Sequence, residues 1–451
     1  KASPPWAFGR TATTSLKRNF NPASSNAEIR RMNDCLTKYR QTQTASQIRV
    51  KAKASQCAFF LAGCLAMLSS EAWAHGKASS AEVSERMIVF PDIAGGKTLV
   101  TDLHMHSVFS DGHVWPRTRV EEALRDGLDA IAITEHLEWQ PHLADIPHTD
   151  RNRAHAIADA AAKGQDLMVI KGSEITRDWP VGHINAIFIT DANPLLGVTS
   201  FSDPADTRAV YEAASQYPAA SVFETANEQG AFLFWNHPDW VSQRPNGVAV
   251  PSDFHTQMID RGWLHGIEIA NGEGYSEEAF SFALANGLTM IGVSDVHDLI
   301  DWDYMPHLGG HRPVTLVLAD SASPRAMREA LFAGHTVVYY KDWLMGRKDQ
   351  LERLMPVLIE VKDARYPKSV DVVQLTLANH SDLPLTLELA SDMSFLNAAD
   401  WITIPAQDEI VVGLKTGKRM RRVDVDIRVR NALVAPRTPF EMTLSISPKR
   451  N

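Results

Sequence analysis

Between residues 98 and 298 a histidine or a carboxylate punctuates one apolar run after another. The runs cover 98–103, 129–134, 167–172, 183–189, 231–235, 266–270 and 290–293. Beside them stand His104 and His106, then Thr134-Glu135-His136, Gly172-Ser173-Glu174, and Gly182-His183 at the head of its run. Asn236-His237-Pro238-Asp239, Glu268 with Asn271-Gly272-Glu273, and Ser294-Asp295-Val296-His297-Asp298 follow. Histidines scattered for packing have no reason to track the ends of apolar runs. Neutral imidazoles and carboxylates are the ligand set for zinc, manganese or iron. In an extended chain, residues i and i+2 share a face. His104 and His106 therefore sit side by side, as do Asp295 and His297.

Amphipathic stretches separate the runs: RTRVEEALRDG, RAHAIADAAAKG, AVYEAASQY and SEEAFSFALANG. In the first, Val120, Ala123 and Leu124 fall at helical spacing and Gly127 ends the pattern. Alternating strands and helices argue for a parallel sheet closed by helices, α/β in class. About seven repeats suggest a barrel, in which active-site groups gather at the C-terminal strand ends. His104, His106, Asp111, His136, Glu174, His183, His237, Asp295 and His297 are the candidate metal ligands. They exceed the needs of one tetrahedral ion and suit two or three divalent ions sharing a carboxylate.

Charge and cysteine usage narrow the chemistry. Residues 1–74 hold eleven Lys or Arg against three Asp or Glu, a charge of +8. With −9 for the whole chain, the remainder carries −17. That balance disfavours nucleic acid, whose phosphates need clustered cations. Residues 49–74 read as a signal peptide, with basic Arg49, Lys51 and Lys53, an apolar 57–68 segment and Ala72-Trp73-Ala74 for cleavage. The apolar segment is too short for stable membrane insertion. A lipoprotein acylation box ending at Cys64 is the lesser alternative. Residues 1–48 are expected to be disordered or upstream sequence, and 75–94 a linker. Cleavage after Ala74 would give a secreted or periplasmic chain with no cysteine, hence no disulfide and no thiolate ligand.

The series HMH, TEH, GSE, GH, NHP and SDVH resembles the polymerase-and-histidinol-phosphatase (PHP) superfamily of metal-dependent phosphoesterases. The resemblance implies a distorted seven-stranded, TIM-like (β/α) barrel, placed here at residues 95–355. It implies one ion on His104, His106, Glu174 and Asp295, and a second sharing Glu174 with His183 and His237. A third would use Asp111, His136 and His297. Glu135 stands where aspartate is more usual. The ions would be Zn, Mn or Fe, and a metal-bound hydroxide would attack a small anionic phosphomonoester or phosphodiester in line. Glu174, Asp295, His297 and Asp239 are the candidate catalytic residues, with Asp239, His297 or a metal-bound water as the acid for the leaving group. The same chemistry would serve ester, carbamate or amide hydrolysis; a non-catalytic metal-binding protein is the other class.

Arg177, His311, Arg312 and His142 are the candidate substrate contacts, because they fall in loops close to ligand motifs. Asp102, two residues before His104, is expected to orient that imidazole. The segment 341–355 reads as a helix with Leu344, Leu351 and Leu354 inward. From Pro356 onward seven short runs alternate with period two, predicting a small antiparallel β-sandwich over 356–451. The sequence names no protein partner.

Overall fold

The computed structural model describes residues 86–198, 206–396 and 398–450. The 1–48 leader, the 49–74 signal peptide with Cys64 and Ala74, and the start of the linker lie outside the described residues.

Strand β1 (Lys97–Asp102) is buried at every position but Lys97. It runs parallel to β2 (Ala130–Ile133), which runs parallel to β3 (Met168–Thr176). Parallel neighbours need a long crossover. Helices α1 (Pro116–Arg125) and α2 (Arg153–Ala162) supply it. Strand β4 (His183–Ile187) departs from this order, being antiparallel to both β3 and β5 (Phe232–Trp235). Only residues 177–182 join β3 to β4, too few for a helical crossover. The expectation of an all-parallel (β/α) sheet is corrected at this strand. The reversal brings the head of β4 beside the end of β3, with His183 opposite Thr176.

Strand β6 (Gly266–Asn271) carries a two-residue return, β7 (Gly274–Tyr275), and pairs in parallel with β5 and with β8 (Thr289–Val293). The chain just beyond β1 meets the chain just beyond β8. Met105 bridges Val296 in parallel, His106 N–H donates to Val296 O (3.1 Å), and Asp295 N–H donates to His104 O (3.0 Å). The first and last ligand motifs are therefore neighbours.

Strands β9 (Val314–Ala319), β10 (Thr336–Tyr340) and β11 (Trp343–Gly346) extend the sheet from the other edge of β1, each antiparallel to the one before. Their apolar runs were not among the expected strands. Threonine hydroxyls tie them to β8: Thr315 Oγ1 donates to Gly292 O (2.8 Å), and Thr336 Oγ1 to Met290 O (2.8 Å). A Cβ at Gly292 would lie 2.3 Å from a Val338 methyl, so only glycine permits this approach. The expected 341–355 helix is corrected too. Leu344 is buried in β11, and the helix runs Lys348–Leu358 with Leu351 and Leu354 inward.

The C-terminal strands are β12 (Ile359–Tyr366), β13 (Val372–Asn379), β14 (Leu385–Leu389), β15 (Ser394–Leu396) and β16 (Trp401–Ile404). They continue as β17 (Glu409–Lys415), β18 (Val423–Ala435), β19 (Thr438–Ile446) and β20 (Lys449–Arg450). One layer has the order β15-β17-β13-β12-β20; β16, β14, β18 and β19 form the other. The seven expected strands are present, and β15 and β20 are short additions. Alternating burial along β13 and β14 puts aliphatic side chains between the layers. Strand β18 also pairs with β11, Leu344 opposite Ala432, which joins the sandwich to the α/β sheet. Ile88, Phe90 and Ile93, placed in a linker by sequence, are buried in the same core as Leu316 and Tyr366. Among the described residues no helix is long and apolar enough to cross a membrane.

Candidate metal centre

All nine expected ligands converge where the strands end. His104 Nε2, His106 Nε2 and Asp295 Oδ1 form a tight triangle with edges of 3.0, 3.1 and 3.2 Å. Glu174 closes it, 3.6 Å from His104 Nε2 through Oε1 and 3.6 Å from His106 Nε2 through Oε2. Oε1 also faces His183 Nδ1 (3.0 Å) and His237 Nε2 (3.6 Å), while Oε2 contacts His136 Nδ1. Asp111 lies on the outer side, 3.3 Å from His136 Nε2 and 3.1 Å from His297 Nε2. Three groups have metal-like spacing: His104, His106 and Glu174; His136, Glu174 and His183; and His106, Asp111, His136 and His297. His106 and His136 each belong to two of them, a sharing that sequence spacing did not suggest.

Backbone strain marks two of these positions. Asp295 (φ 51°) and His237 (φ 26°) are left-handed without being glycine, at about 1–3 kcal/mol each. The loop from His106 to Gly112 is a tight turn in which Gly112 N–H donates to Ser107 O (3.0 Å). A Cβ at Gly112 would meet Ser107 N at 2.7 Å, so a glycine there lets Asp111 fold back over the imidazoles.

Hydrogen-bond bookkeeping tests whether cations fit. His104 Nδ1 donates to Glu268 Oε1 (2.7 Å), which leaves Nε2 as a lone pair. Ser110 gives its only hydroxyl proton to Glu135, so His106 Nδ1 must donate to Ser110 Oγ (3.1 Å). His297 Nδ1 donates to the carbonyl of Asp295 (2.8 Å). The Nε2 lone pairs of His104 and His106 thus face each other and Asp295, and that of His297 faces Asp111. Glu174 Oε2 and Asp111 Oδ1 are buried without a hydrogen-bond donor. Such a set is repulsive unless protons or metal ions fill it, and it fits divalent ions.

The pKa shifts express the same frustration. Burial pushes Glu174 up, but the imidazoles of His136, His183 and His104 outweigh it and hold the carboxyl well below its usual range. Asp295 is held far down by His104 and His106, and Asp111 by His136 and His297, each against burial. His104 and His136 move well up despite burial, drawn by Asp295 and Glu174 respectively. His106 moves down to about 3, through burial and the neighbouring His297 and His136.

The supporting residues correct the sequence reading. Asp102 does not orient His104; it accepts from Ser294 N–H (3.1 Å), Ser294 Oγ (2.6 Å) and Arg312 Nη1 (3.2 Å). β1 ends at Asp102, so strand alternation does not carry on to His104. Glu268 orients His104 instead, and Asn271 Nδ2 holds Glu268 (2.8 Å) and Asp295 (3.1 Å) together. Asn236 Nδ2 donates to Glu174 Oε1 (2.8 Å). A carboxylate inside the apolar run GIEIA was the available signal for Glu268. Glu135 accepts from Ser107 N–H (3.1 Å) and from the Ser107 and Ser110 hydroxyls, and so shapes the loop that carries His106 and Asp111.

Three expected substrate contacts are placed elsewhere. Arg312 is fully buried and spent on Asp126 and Asp102. His311 stacks on Tyr339 at 4.0 Å and bonds to the backbone of Arg312 and Lys341. Arg177 is buried against Glu138 (2.8 Å). A buried charge needs a partner, and loop arginines that find one inside the protein are not free for substrate. His142 is half-buried, its ring 6.3 Å from that of His113, which bonds to Asp298 beside His297. Asp239 is half-buried in the turn after His237, where Trp240 N–H donates to His237 O (2.9 Å). Trp240, missed in the sequence, stands beside the rings of His183 (5.4 Å) and His237 (5.2 Å) and is 38% exposed.

A family model for the PHP domain matches residues 102–220, and one described as an Ig-like domain matches 359–445. A solved two-domain protein from Bacteroides vulgatus ATCC 8482, described as containing a predicted PHP-like metal-dependent phosphoesterase, is 38% identical to this chain. The match covers 80% of this chain and 98% of that one, with a TM-score of 0.70. The chain belongs to the PHP family. PsfC from Pseudomonas syringae PB-5123 is 17% identical over 49% of this chain and 82% of its own, with a TM-score of 0.33. No curated protein matches the chain. In PHP terms, the HMH, TEH, GSE, GH, NHP and SDVH motifs are the segments that meet at this centre.

Proposed function

We propose that this PHP protein hydrolyses a small anionic phosphomonoester or phosphodiester at a centre of two or three divalent ions. The observation that carries the reading is Glu174, whose two oxygens face different imidazoles: His104, His183 and His237 on one, His106 and His136 on the other. A carboxylate so placed is suited to bridging two cations. Divalent ions bound there would lower the pKa of a water and neutralise charge on the phosphoryl oxygens. The inner ions would be held by His104, His106, Glu174, Asp295, His183 and His237, and an outer one by Asp111, His136 and His297. Glu268, Ser110 and the Asp295 carbonyl keep the metal-facing nitrogens deprotonated. Half-buried Asp239, which is not among the metal ligands, is the group open enough to hand a proton to a leaving alkoxide; the 35% exposed His297 would do so only in place of its role as an outer ligand. His142 is the remaining substrate-contact candidate.

The finer fold reading is a seven-stranded barrel of β1, β2, β3, β4, β5, β6 and β8, supported by the Met105–Val296 bridge between the segments just beyond its first and last strands. The barrel would span 95–355 and the sandwich 356–451. Zinc, manganese or iron suits the His/carboxylate donors. Export through the 49–74 segment rests on its sequence pattern alone. The net acidic charge favours a small substrate over nucleic acid.

The test is turnover of para-nitrophenyl phosphate, bis-para-nitrophenyl phosphate and para-nitrophenyl acetate by protein loaded with each metal. Hydrolysis of acetate alone would sink the phosphoesterase reading in favour of a carboxylic-ester or amide hydrolase. Bound metal without turnover of any would favour a binding protein. N-terminal sequencing of exported protein should begin at His75.

A further inference from the structure

Helix α1 buries two charged residues where its pattern calls for apolar ones. Arg119 and Glu122 are both buried, beside Val120 and Ala123. Arg119 is wholly inaccessible, and its guanidinium bonds through all three nitrogens. Nε donates to His106 O (2.8 Å), and Nη1 to Asp298 O (2.7 Å) and Glu122 Oε2 (2.8 Å). Nη2 donates to Val296 O (3.2 Å) and His297 O (2.9 Å). Glu122 in turn accepts from Ile300 N–H (2.9 Å) through its other oxygen.

This is more than a buried ion pair. Four of the five acceptors are carbonyls of the two ligand-bearing segments, one at His106 and three at 296–298. The segments are far apart in sequence and belong to the first and last motifs. Their imidazoles lie stacked at 4.3 Å, an approach that nothing in either segment alone enforces. A planar five-donor fork can gather carbonyls from two chain segments; a lysine cannot reproduce that spread. Arg119 reaches none of the metal-facing nitrogens, so any effect on chemistry must pass through the backbone it holds.

We infer that Arg119, set by Glu122, is a positioning residue that fixes His297 against His106 and so builds the outer part of the metal centre. The inference rests on the metal-centre reading above. It assigns the Asp111, His136 and His297 group a dependence on helix α1 that the group around Glu174, His183 and His237 does not share.

The experiment compares the full chain with Arg119→Met, Arg119→Lys and Val120→Ala, the last a buried apolar truncation on the same helix. Manganese content and affinity, kcat and KM on para-nitrophenyl phosphate, and Tm are read for each. Arg119→Met is expected to weaken manganese binding or kcat about 10- to 100-fold, to lose part of the bound metal while keeping the rest, and to leave KM little changed. Arg119→Lys should recover a fraction of that loss. Val120→Ala should lower Tm and keep its metal. Wild-type metal content and kcat in Arg119→Met would overturn the inference. So would Val120→Ala losing metal in proportion to its Tm, since that would make the effect general destabilisation. If Arg119→Met does not fold, Arg119→Lys is judged by the same criteria. A wild-type chain that binds no manganese, zinc or iron would overturn the metal-centre reading itself, and this inference with it.

Discussion

The inner and outer halves of the metal centre are built differently. The inner half is Glu174, His104, His106 and Asp295; the first three side chains are inaccessible and the fourth is 16% exposed. Its members stand at strand ends, and buried Glu268 holds His104, buried Asn236 holds Glu174 and half-buried Asn271 holds Asp295. The outer half centres on Asp111, 30% exposed, and His297, 35% exposed. Asp111 comes from a loop, and in this half a backbone carbonyl accepts from His297 Nδ1 and the Thr176 hydroxyl lies 2.6 Å from His136 Nδ1. The difference teaches that ligand identity alone does not set how firmly an ion is held. Second partners and solvent access divide nine similar ligands into a rigid interior and an open mouth.

Removing the shared carboxylate should have the largest effect. Glu174→Ala should abolish phosphatase activity and strip most of the metal, measured by elemental analysis beside the kinetic assay. Retained turnover would mean that the inner half is not the reacting one.

Arg312→Met tests whether the scaffold under the inner half can be weakened without touching its ligands. It leaves Asp102 buried without its cation and Asp126 with Arg86 alone, a loss of about 3–5 kcal/mol. Denaturant melts should show the loss, while the folded fraction keeps its metal and its KM. A raised KM with unchanged stability would restore Arg312 as a substrate contact.

Glu268→Gln keeps the shape and weakens the acceptor behind His104. Metal affinity or kcat should fall about 10- to 100-fold. Asp111→Asn should cost less in both metal content and kcat than Glu174→Ala. Equal losses from the two would erase the distinction between the halves.

The smallest effect on the metal centre itself comes from outside both halves. His255 stacks on Trp235 at 4.0 Å, and burial followed by Arg244 pushes its pKa down to about 3. The unfolded chain takes up this proton near the ordinary value of 6.5, before the folded chain does. The metal-loaded protein should therefore lose stability as pH falls from 6.5 towards 3, and His255→Gln should flatten that slope in melts across the range. An unchanged slope would assign the loss to the metal ligands.

Much of this was legible in the residues themselves. The ligand set could be read because imidazoles and carboxylates beside apolar runs are out of place in a core, and Asp111 was read as the carboxylate that follows the HMH pair. The sandwich was legible because alternation with period two survives strand by strand in β13 and β14. Strands β9 and β10 escaped notice because they carry no ligand, although the helix Pro324–Phe332 between them continues the strand–helix alternation. Asp102 was assigned to His104 by strand periodicity, which stops two residues short of His104.

The amino-acid order by itself determined which side chains gather and that they would gather at strand ends, since both follow from local periodicity and donor chemistry. Only the tertiary structure decided how they are shared and supported. The reversed β4 turns His183 toward Glu174, Glu268 rather than Asp102 meets His104, and Arg119 and Arg312 are spent inside the protein. Those outcomes depend on which buried charges find partners across segments distant in sequence, and desolvation makes each such pairing a property of the assembled fold.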